Sequence, residues 1–361
     1  MKRIKVGFVL LSNSRNPIPS TRIAVLNTFS FLRASHFDPH IVYEPEQGNA
    51  TPDLTGLGAR VIGEGFDIVV FQKVYGPSVE QLVRELRTAG IRTVFCVCDV
   101  IDSAMAAATD ATVVVTDFLK SLYPPSLQHK IRVVHDGIER PDVHKADWRG
   151  SPGKRVRAVL VTSAHLDKLP QIGTPPSWLD VTIVGRYLPE EQRLQRLRQA
   201  RWVFTHQQGV GQSLAYLRFL MNSRIHCAAW DPQRVYQQMQ QADIGIIPVE
   251  DDAAMDTPGQ VPSWKVKSEN RLSMKMCIGL PVIATPIPSY EPLVQHGSNG
   301  YLARTPAQWL EYLGALRDPA LREQIGKAAR ASVLERYSMA EQSRLLMAVF
   351  DDLMLAPAAA G

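Results

Sequence analysis

Residues 66–102 read FDIVVFQKVYGPSVEQLVRELRTAGIRTVFCVCDVID. Asp67–Phe71 is a short apolar run that reads as a buried strand. Val79–Ala89 reads as an amphipathic helix, and Arg92–Cys98 as the next strand. A strand, a helix and a strand in about this length form the unit from which parallel sheets are built. The same alternation runs outward in both directions. Upstream, Lys5–Leu11 reads as a buried strand. Arg22–Leu32 reads as a helix, with Ile23, Leu26, Phe29 and Leu32 at helical spacing. Downstream, Thr112–Val115 is a strand, and Phe118–Tyr123 a short helix stopped by Pro124 and Pro125. Arg132–His135 is one more strand.

The polar stretch RPDVHKADWRGSPGKR (140–155) reads as an interdomain linker. The pattern then restarts. Ala158–Val161, Val181–Val184, Trp202–Thr205, Ile225–Ala228, Ile244–Pro248 and Pro281–Ala284 are strand candidates. Helices fall between them, among them Pro232–Gln241 and Leu272–Cys277. Three helices close the chain, roughly Ala307–Leu316, Leu321–Glu335 and Met339–Met354. The fold class is therefore α/β, as two doubly wound Rossmann-like domains in series. The expected bounds are 1–145, 155–338, and a tail of 339–361 crossing back to the first domain. Ligands are expected at strand carboxyl ends and in the cleft between the domains.

The 361 residues suffice for about two domains. Apolar residues make up 45% and charged residues 21%, which excludes disordered and fibrous classes. Cys96, Cys98, Cys227 and Cys277 match no zinc spacing and are too sparse for a disulfide framework, so a reducing cytoplasm is expected. The opening MKRIKVGFVLLSNS lacks a cleavage site after its apolar run, and no stretch nears the ~18 apolar residues of a membrane span. A formal charge of +5 permits an anionic ligand or an anionic membrane surface. No basic stretch with interleaved aromatics marks a nucleic-acid binder. His36 and His40 have H-x3-H spacing, but Pro39 opposes the helix that would align them on a metal. Glu250, Asp251 and Asp252 read as a solvated acidic turn.

The stretch Ala242–Gln342 resembles the C-terminal domain of family-4-type retaining glycosyltransferases of the GT-B fold. The resemblance is carried by ADIGIIPVE, KSENRLSMKMCIGLPVIATPIPSYEPLVQHGSNGYL and ERYSMAEQ. The matching positions are Pro248, Lys267, Ser268, Arg271, Gly279, Pro281, Val282 and the Gly297-x-x-Gly300 turn. FDIVVFQK (66–73), DATVVVTDFLK (110–120) and VVHDGIE (133–139) resemble the family's acceptor domain and its exit. The resemblance implies two Rossmann-like domains facing each other across a cleft, with the donor in the second and the acceptor in the first. Family members carry two Glu residues ahead of Gly-x-Pro-Val, the first facing the donor sugar and the second holding the ribose hydroxyls. Here those positions are Val266 and Met274.

Lys267, Ser268, Asn270 and Arg271 stand at the mouth of the Leu272 helix. A diphosphate there would meet helix N–H groups and two cations. Charge grows on a departing diphosphate, so Lys267 and Arg271 would favour the transition state. A solvated helix start with Ser268 as N-cap accounts for the same residues. Lys168 falls where the family has a second phosphate cation, whose preceding Arg is Ser163 here; a plain surface lysine is the other reading. Trp230, before Asp231, could stack on a base or cover the domain edge. Tyr290 and Glu291, in the PIPSY segment and just after it, could approach the nucleotide or simply end a rigid turn.

In the first domain, Ser20, Thr21 and Arg22 follow a polar loop and open a helix, either as an acceptor site or as N-caps. Asp99 and Asp102 could orient an acceptor hydroxyl or take its proton, or could cap a helix. Lys73 and Tyr75 would face the same space. The expected activity is transfer of a hexosyl or deoxyhexosyl unit from a nucleotide-diphospho-sugar, of dTDP, UDP or GDP type. The acceptor would be a glycan or lipid-linked molecule of polysaccharide biosynthesis at the inner membrane face. Retention is implied by the resemblance, and no cofactor or metal is called for if the cations neutralise the diphosphate. The alternatives are a non-catalytic sugar-nucleotide or glycan binder, and a sugar-nucleotide epimerase.

Overall fold

The computed structural model describes residues 3–149, 155–164, 166–206, 209–249 and 261–356. The chain forms two compact units. The first comprises Met1–Glu139, Val261–Glu269 and Arg336–Gly361, and the second Arg140–Gln260 and Asn270–Glu335.

The first unit holds strands β1 (Ile4–Leu10), β2 (Phe37–Tyr43), β3 (Ile68–Gln72), β4 (Arg92–Val97), β5 (Ala111–Val114) and β6 (Ile131–Val133). All pair in parallel, in the order β2-β1-β3-β4-β5-β6. Every residue of β3 is buried, as a parallel strand covered on both faces requires. Alternate side chains feed two cores. Val9, Val69, Phe71 and Phe95 meet Val79, Leu82, Val83 and Leu86 of the Pro77–Thr88 helix. Phe8, Leu10, Ile68 and Val70 meet Phe29 and Leu32, together with Leu346, Val349 and Phe350 of the Met339–Leu355 helix. Val266 is buried in the first of these cores, so the position that the resemblance gives to a carboxylate is here a packing residue.

Two local expectations change. The helix expected over Arg22–Leu32 is broken into Pro19–Ala24, a 3-10 turn at Leu26–Thr28, and Phe29–Ala34. Strand β2 was not anticipated, because it contains Pro39. It lies at the sheet edge, where a missing N–H costs nothing. His36 and His40 bond Asp351 and Asp38 respectively, each at 2.7 Å.

The second unit holds β7 (Val156–Val161), β8 (Leu179–Gly185), β9 (Ile225–Ala229), β10 (Ile244–Ile247), β11 (Val282–Ala284) and β12 (Tyr301–Leu302). The order is β12-β11-β10-β7-β8-β9, again all parallel. Trp202–Thr205, expected as a strand, belongs to the Gln195–His206 helix. Four β-prone residues there are overridden by the helical segment around them. Residues 140–149 of the expected linker pack into this unit. Trp148 Nε1 donates to Gly279 O at 2.7 Å, Arg322 donates to Trp148 O, and Lys145 Nζ donates to Ala242 O at 2.6 Å. Residues 150–154 and the acidic turn at 250–252 lie outside the described residues. No helix among the described residues is long and apolar enough to cross a membrane.

Close packing around Trp148 needs a glycine. A Cβ at Gly326 would stand 2.2 Å from Gly279 O and 2.5 Å from Trp148 Nε1. Gly326→Ala is therefore expected to destabilise the second unit by about 2 kcal/mol net, despite alanine's better helix propensity. Gly314→Ala, also helical but with open space around its Cβ, should raise stability by up to about 1 kcal/mol. Urea unfolding midpoints of the two variants check the contrast.

Candidate functional site

In each sheet the strand order reverses at one place, and the carboxyl ends there form the natural ligand position. In the second unit this place lies between β7 and β10. After β7, Thr162 Oγ1 accepts from Ala164 N at 3.1 Å, and Ser163 Oγ accepts from Arg271 Nη2 at 3.2 Å. After β10, Val249 N donates to Thr285 Oγ1 at 3.0 Å, which ties the loop to the end of β11. Arg271 stands in the first turn of the Asn270–Ile278 helix, the end at which a helix favours an anion.

One turn further on, Lys275 is fully buried. Its stem crosses β10 where Gly245 leaves room, since a Cβ there would lie 2.9 Å from Lys275 Cδ. Its Nζ donates to Arg271 O at 3.2 Å. Burial, and then the Arg271 charge, push its pKa down to about 7. Neither cation forms an ion pair among the described residues. The sequence reading passed over Lys275; the available signal was one charge inside the apolar run LSMKMCIGL.

The other donor expectations divide. Trp230 is 40% exposed after β9, and its N–H bonds Gly185 O. Asp231 caps the Arg234–Gln241 helix by accepting from Gln233 N and Arg234 N, and these bonds hold its carboxyl below the usual range. Lys168 is exposed in the loop after β7. Tyr290 is buried, and its carbonyl accepts from Leu293 N and Val294 N in a tight turn. Glu291 pairs with Arg304 at 2.9 Å. Met274 packs half-buried against the unit's core.

Lys267 and Ser268 belong to the first unit, whereas Asn270 and Arg271 belong to the second, so the chain parts within the expected motif. The Ser268 hydroxyl lies near the Asp136 carboxyl and opposes the rise of its pKa. Asp136 follows β6 and is buried, as is Glu269. His135 Nδ1 donates to Glu269 Oε1 and to Val115 O, both at 2.9 Å, and its ring packs against Tyr337. Burial and then the Glu269 charge raise the Asp136 pKa to about 7. Burial opposes the His135 charge, but the Glu269 bond and charge together with the Val115 bond outweigh it and raise that pKa. Asp136 Oδ1 and Glu269 Oε2 are buried without a hydrogen-bond partner among the described residues. The Glu269 charge acts on Asp136 across the cluster, and a carboxyl oxygen without a partner can accept from a hydroxyl.

Around this cluster the expected acceptor residues are mostly engaged. Lys73, with φ +54°, pairs with Asp99 at 2.5 Å. Burial opposes its charge, but neighbouring anionic groups hold its pKa up. Asp102 accepts from Met105 N at 2.9 Å and caps the Ser103–Ala108 helix. Ser20 and Thr21 are not caps. Thr21 is buried between Ser12 and Gln72, with both oxygens at 2.9 Å, and Gln72 Nε2 reaches Ser20 Oγ at 3.5 Å. Arg22 pairs with Glu139 in a two-point bond at 2.7 and 2.9 Å. Tyr75 is half-buried, with its N–H on Ala50 O. Among the described residues no group of three His, Cys, Asp or Glu is arranged to hold a metal.

A family model described as glycosyl transferase-like matches residues 165–348, just over half of the chain. The chain belongs to this family. No curated protein matches it in sequence. A glycosyltransferase from Rickettsia africae superposes with a TM-score of 0.69 at 13% identity, covering 99% of this chain and 100% of that one. HepE of Anabaena, solved with UDP and glucose, has a TM-score of 0.63 at 12% identity, covering 97% and 100%. Sucrose-phosphate synthase of Thermosynechococcus elongatus has a TM-score of 0.64 at 12% identity, covering 98% and 100%. At such identities the likeness is one of fold, and that fold is GT-B. This member of the glycosyl transferase-like family thus has two Rossmann-like units of the GT-B fold.

Proposed function

We propose that the chain transfers a hexosyl or deoxyhexosyl unit from a nucleotide-diphospho-sugar to a hydroxyl of a glycan or lipid-linked acceptor, with retention at the anomeric carbon. The observation that carries this is the pair Arg271 and Lys275, two cations on one helix at the switch point of the second unit, without carboxylate partners among the described residues. A diphosphate fits these cations as their anion. Arg271, Lys275 and the helix N-terminus stabilise the charge that grows as the diphosphate leaves, which is the charge a metal would otherwise neutralise. In the first unit, the Asp136 carboxyl takes the proton of the acceptor hydroxyl. His135 keeps Glu269 in place.

The donor nucleotide is read as dTDP. Met274 asks for no hydrogen bond from a ribose 2′-hydroxyl, whereas the family's Glu rewards one. The two carboxylates that could stand in are engaged elsewhere, Glu291 with Arg304 and Glu269 with His135. Calorimetric titration tests both parts. Arg271→Ala should weaken nucleoside diphosphate binding by about 1.5–3 kcal/mol and leave nucleoside binding nearly unchanged. The wild type should bind dTDP at least as tightly as UDP. Tighter UDP binding, lost in Glu291→Gln, would restore a displaced ribose carboxylate.

Val266 and Met274 favour one second reading, a sugar-nucleotide binder without turnover. Release of nucleoside diphosphate only when acceptor is present would exclude it. We adopt a membrane-held acceptor at the cytoplasmic face, as the lipid-linked class requires.

A further inference from the structure

The net charge of the chain is +5, and its distribution is uneven. Between Gln192 and Trp230 there are six arginines and no Asp, Glu or Lys, so the remainder of the chain carries one net negative charge. This stretch forms the Gln195–His206 and Val210–Met221 helices, which connect β8 to the edge strand β9. Their inner face is ordinary core. Tyr216, Phe219, Leu220 and Ala200 are buried, and Gln199 bonds Leu188 N and the Tyr216 hydroxyl.

The outer face is not ordinary. Leu194, Leu197, Trp202, Phe204, Val210 and Met221 are exposed, from 41% at Trp202 to 75% at Val210. Arg198, Arg201 and Arg218 are exposed among them. None of these three forms an ion pair among the described residues. Leu194, Leu197, Arg198, Arg201 and Trp202 recur at helical spacing, so arginines and apolar groups share one surface. Exposed apolar side chains gathered on two neighbouring helices are costly in water and mark an interaction site. The arginines select an anionic partner, and the apolar groups select one with a hydrocarbon phase. A soluble polyanion would use the first and waste the second.

We propose that this outer face docks the protein on an anionic lipid bilayer. The arginines lie on the headgroups, and Leu197, Trp202 and Phe204 enter the acyl boundary, as in interfacial amphipathic helices. The proposal deepens the membrane-held acceptor reading and takes its purpose from it. Its test uses neither donor nor acceptor, so failure of docking and failure of transfer are separate results.

Co-flotation of the full chain with phosphatidylglycerol–phosphatidylcholine vesicles, against pure phosphatidylcholine vesicles, is the measurement. Binding to the anionic vesicles should be at least tenfold stronger. The double variant Arg198→Gln, Arg201→Gln should lower partitioning about thirtyfold, since each arginine near an anionic surface contributes roughly fivefold. Leu197→Ser with Phe204→Ser should lower binding further as salt rises, because salt screens the arginines and leaves the apolar part. Circular dichroism melting confirms that both variants fold. Vesicle binding unchanged in both folded variants overturns the proposal. So does binding to heparin or single-stranded RNA that matches vesicle binding and is indifferent to the Leu197→Ser, Phe204→Ser change.

Discussion

Asp136→Asn is expected to lower kcat/KM by about 10²- to 10⁴-fold, the range for loss of a general acid–base group. Asparagine keeps the shape but cannot take a proton. With its pKa raised to about 7 by burial and the Glu269 charge, Asp136 changes state near neutrality, where a base works best. The wild-type kcat/KM should rise with pH through about 7 and then level, whereas the variant should be flat across that range. Stability carries the complementary signature. The unfolded carboxyl ionises near 4 and the folded one near 7, so the folded state binds the extra proton between these values. Its stabilising contribution is fully present below about pH 4 and is lost as pH rises through 7. The variant should therefore gain stability over the wild type above pH 7. Activity within fivefold of wild type, with the limb near pH 7 intact, would remove Asp136 from the reaction.

Lys275→Met is expected to stabilise the fold and to weaken nucleoside diphosphate binding by about 3- to 10-fold, through loss of a buried charge that acts on the phosphate without touching it. Opposite signs in the two measurements distinguish a ligand-binding lysine from a packing one. The folded-state pKa of Lys275 is depressed to about 7, whereas the unfolded lysine titrates near 10.5. The unfolded chain thus binds the extra proton between these values, and stability rises with pH across that window. The cost of burying the amine is full below pH 7 and gone above about 10.5. Methionine is unbranched, apolar and of similar length, so it fills the space over Gly245 without that cost. Melting temperatures should rise more at pH 6 than at pH 10. A lower melting temperature at pH 6 together with unchanged affinity would return Lys275 to the core and leave Arg271 as the phosphate ligand.

The alternation of strands and helices was legible in the residues because parallel strands are buried on both faces. IVVFQ at β3 and RTVFCV at β4 are continuous apolar runs for that reason. The GT-B resemblance was legible because loops at the carboxyl ends of the second sheet keep a local pattern of Gly, Pro, Lys and Arg. Arg271 was visible for the same reason. Lys275 was not, because its meaning depends on a glycine thirty positions away on β10. The strand expected at Trp202–Thr205 and the missed β2 show local preference losing to context. Four β-prone residues joined a longer helix, and a proline was accepted at a sheet edge that only the strand order reveals.

The sequence by itself determined the fold class, the parallel sheets and the basic helix mouth, since each follows from residues close together in the chain. The acid–base cluster was decided by tertiary structure alone. His135 and Glu269 stand 134 residues apart and meet only because the 261–269 segment returns to the first unit, held there by Val266 in its core. Folding also sets two acidic residues apart. Asp102 faces the free N–H of Met105 and caps a helix, whereas Asp136 is buried beside a second carboxyl with an oxygen left over. A carboxylate's role is set by its desolvation and its neighbours' charges, and both are properties of packing in three dimensions.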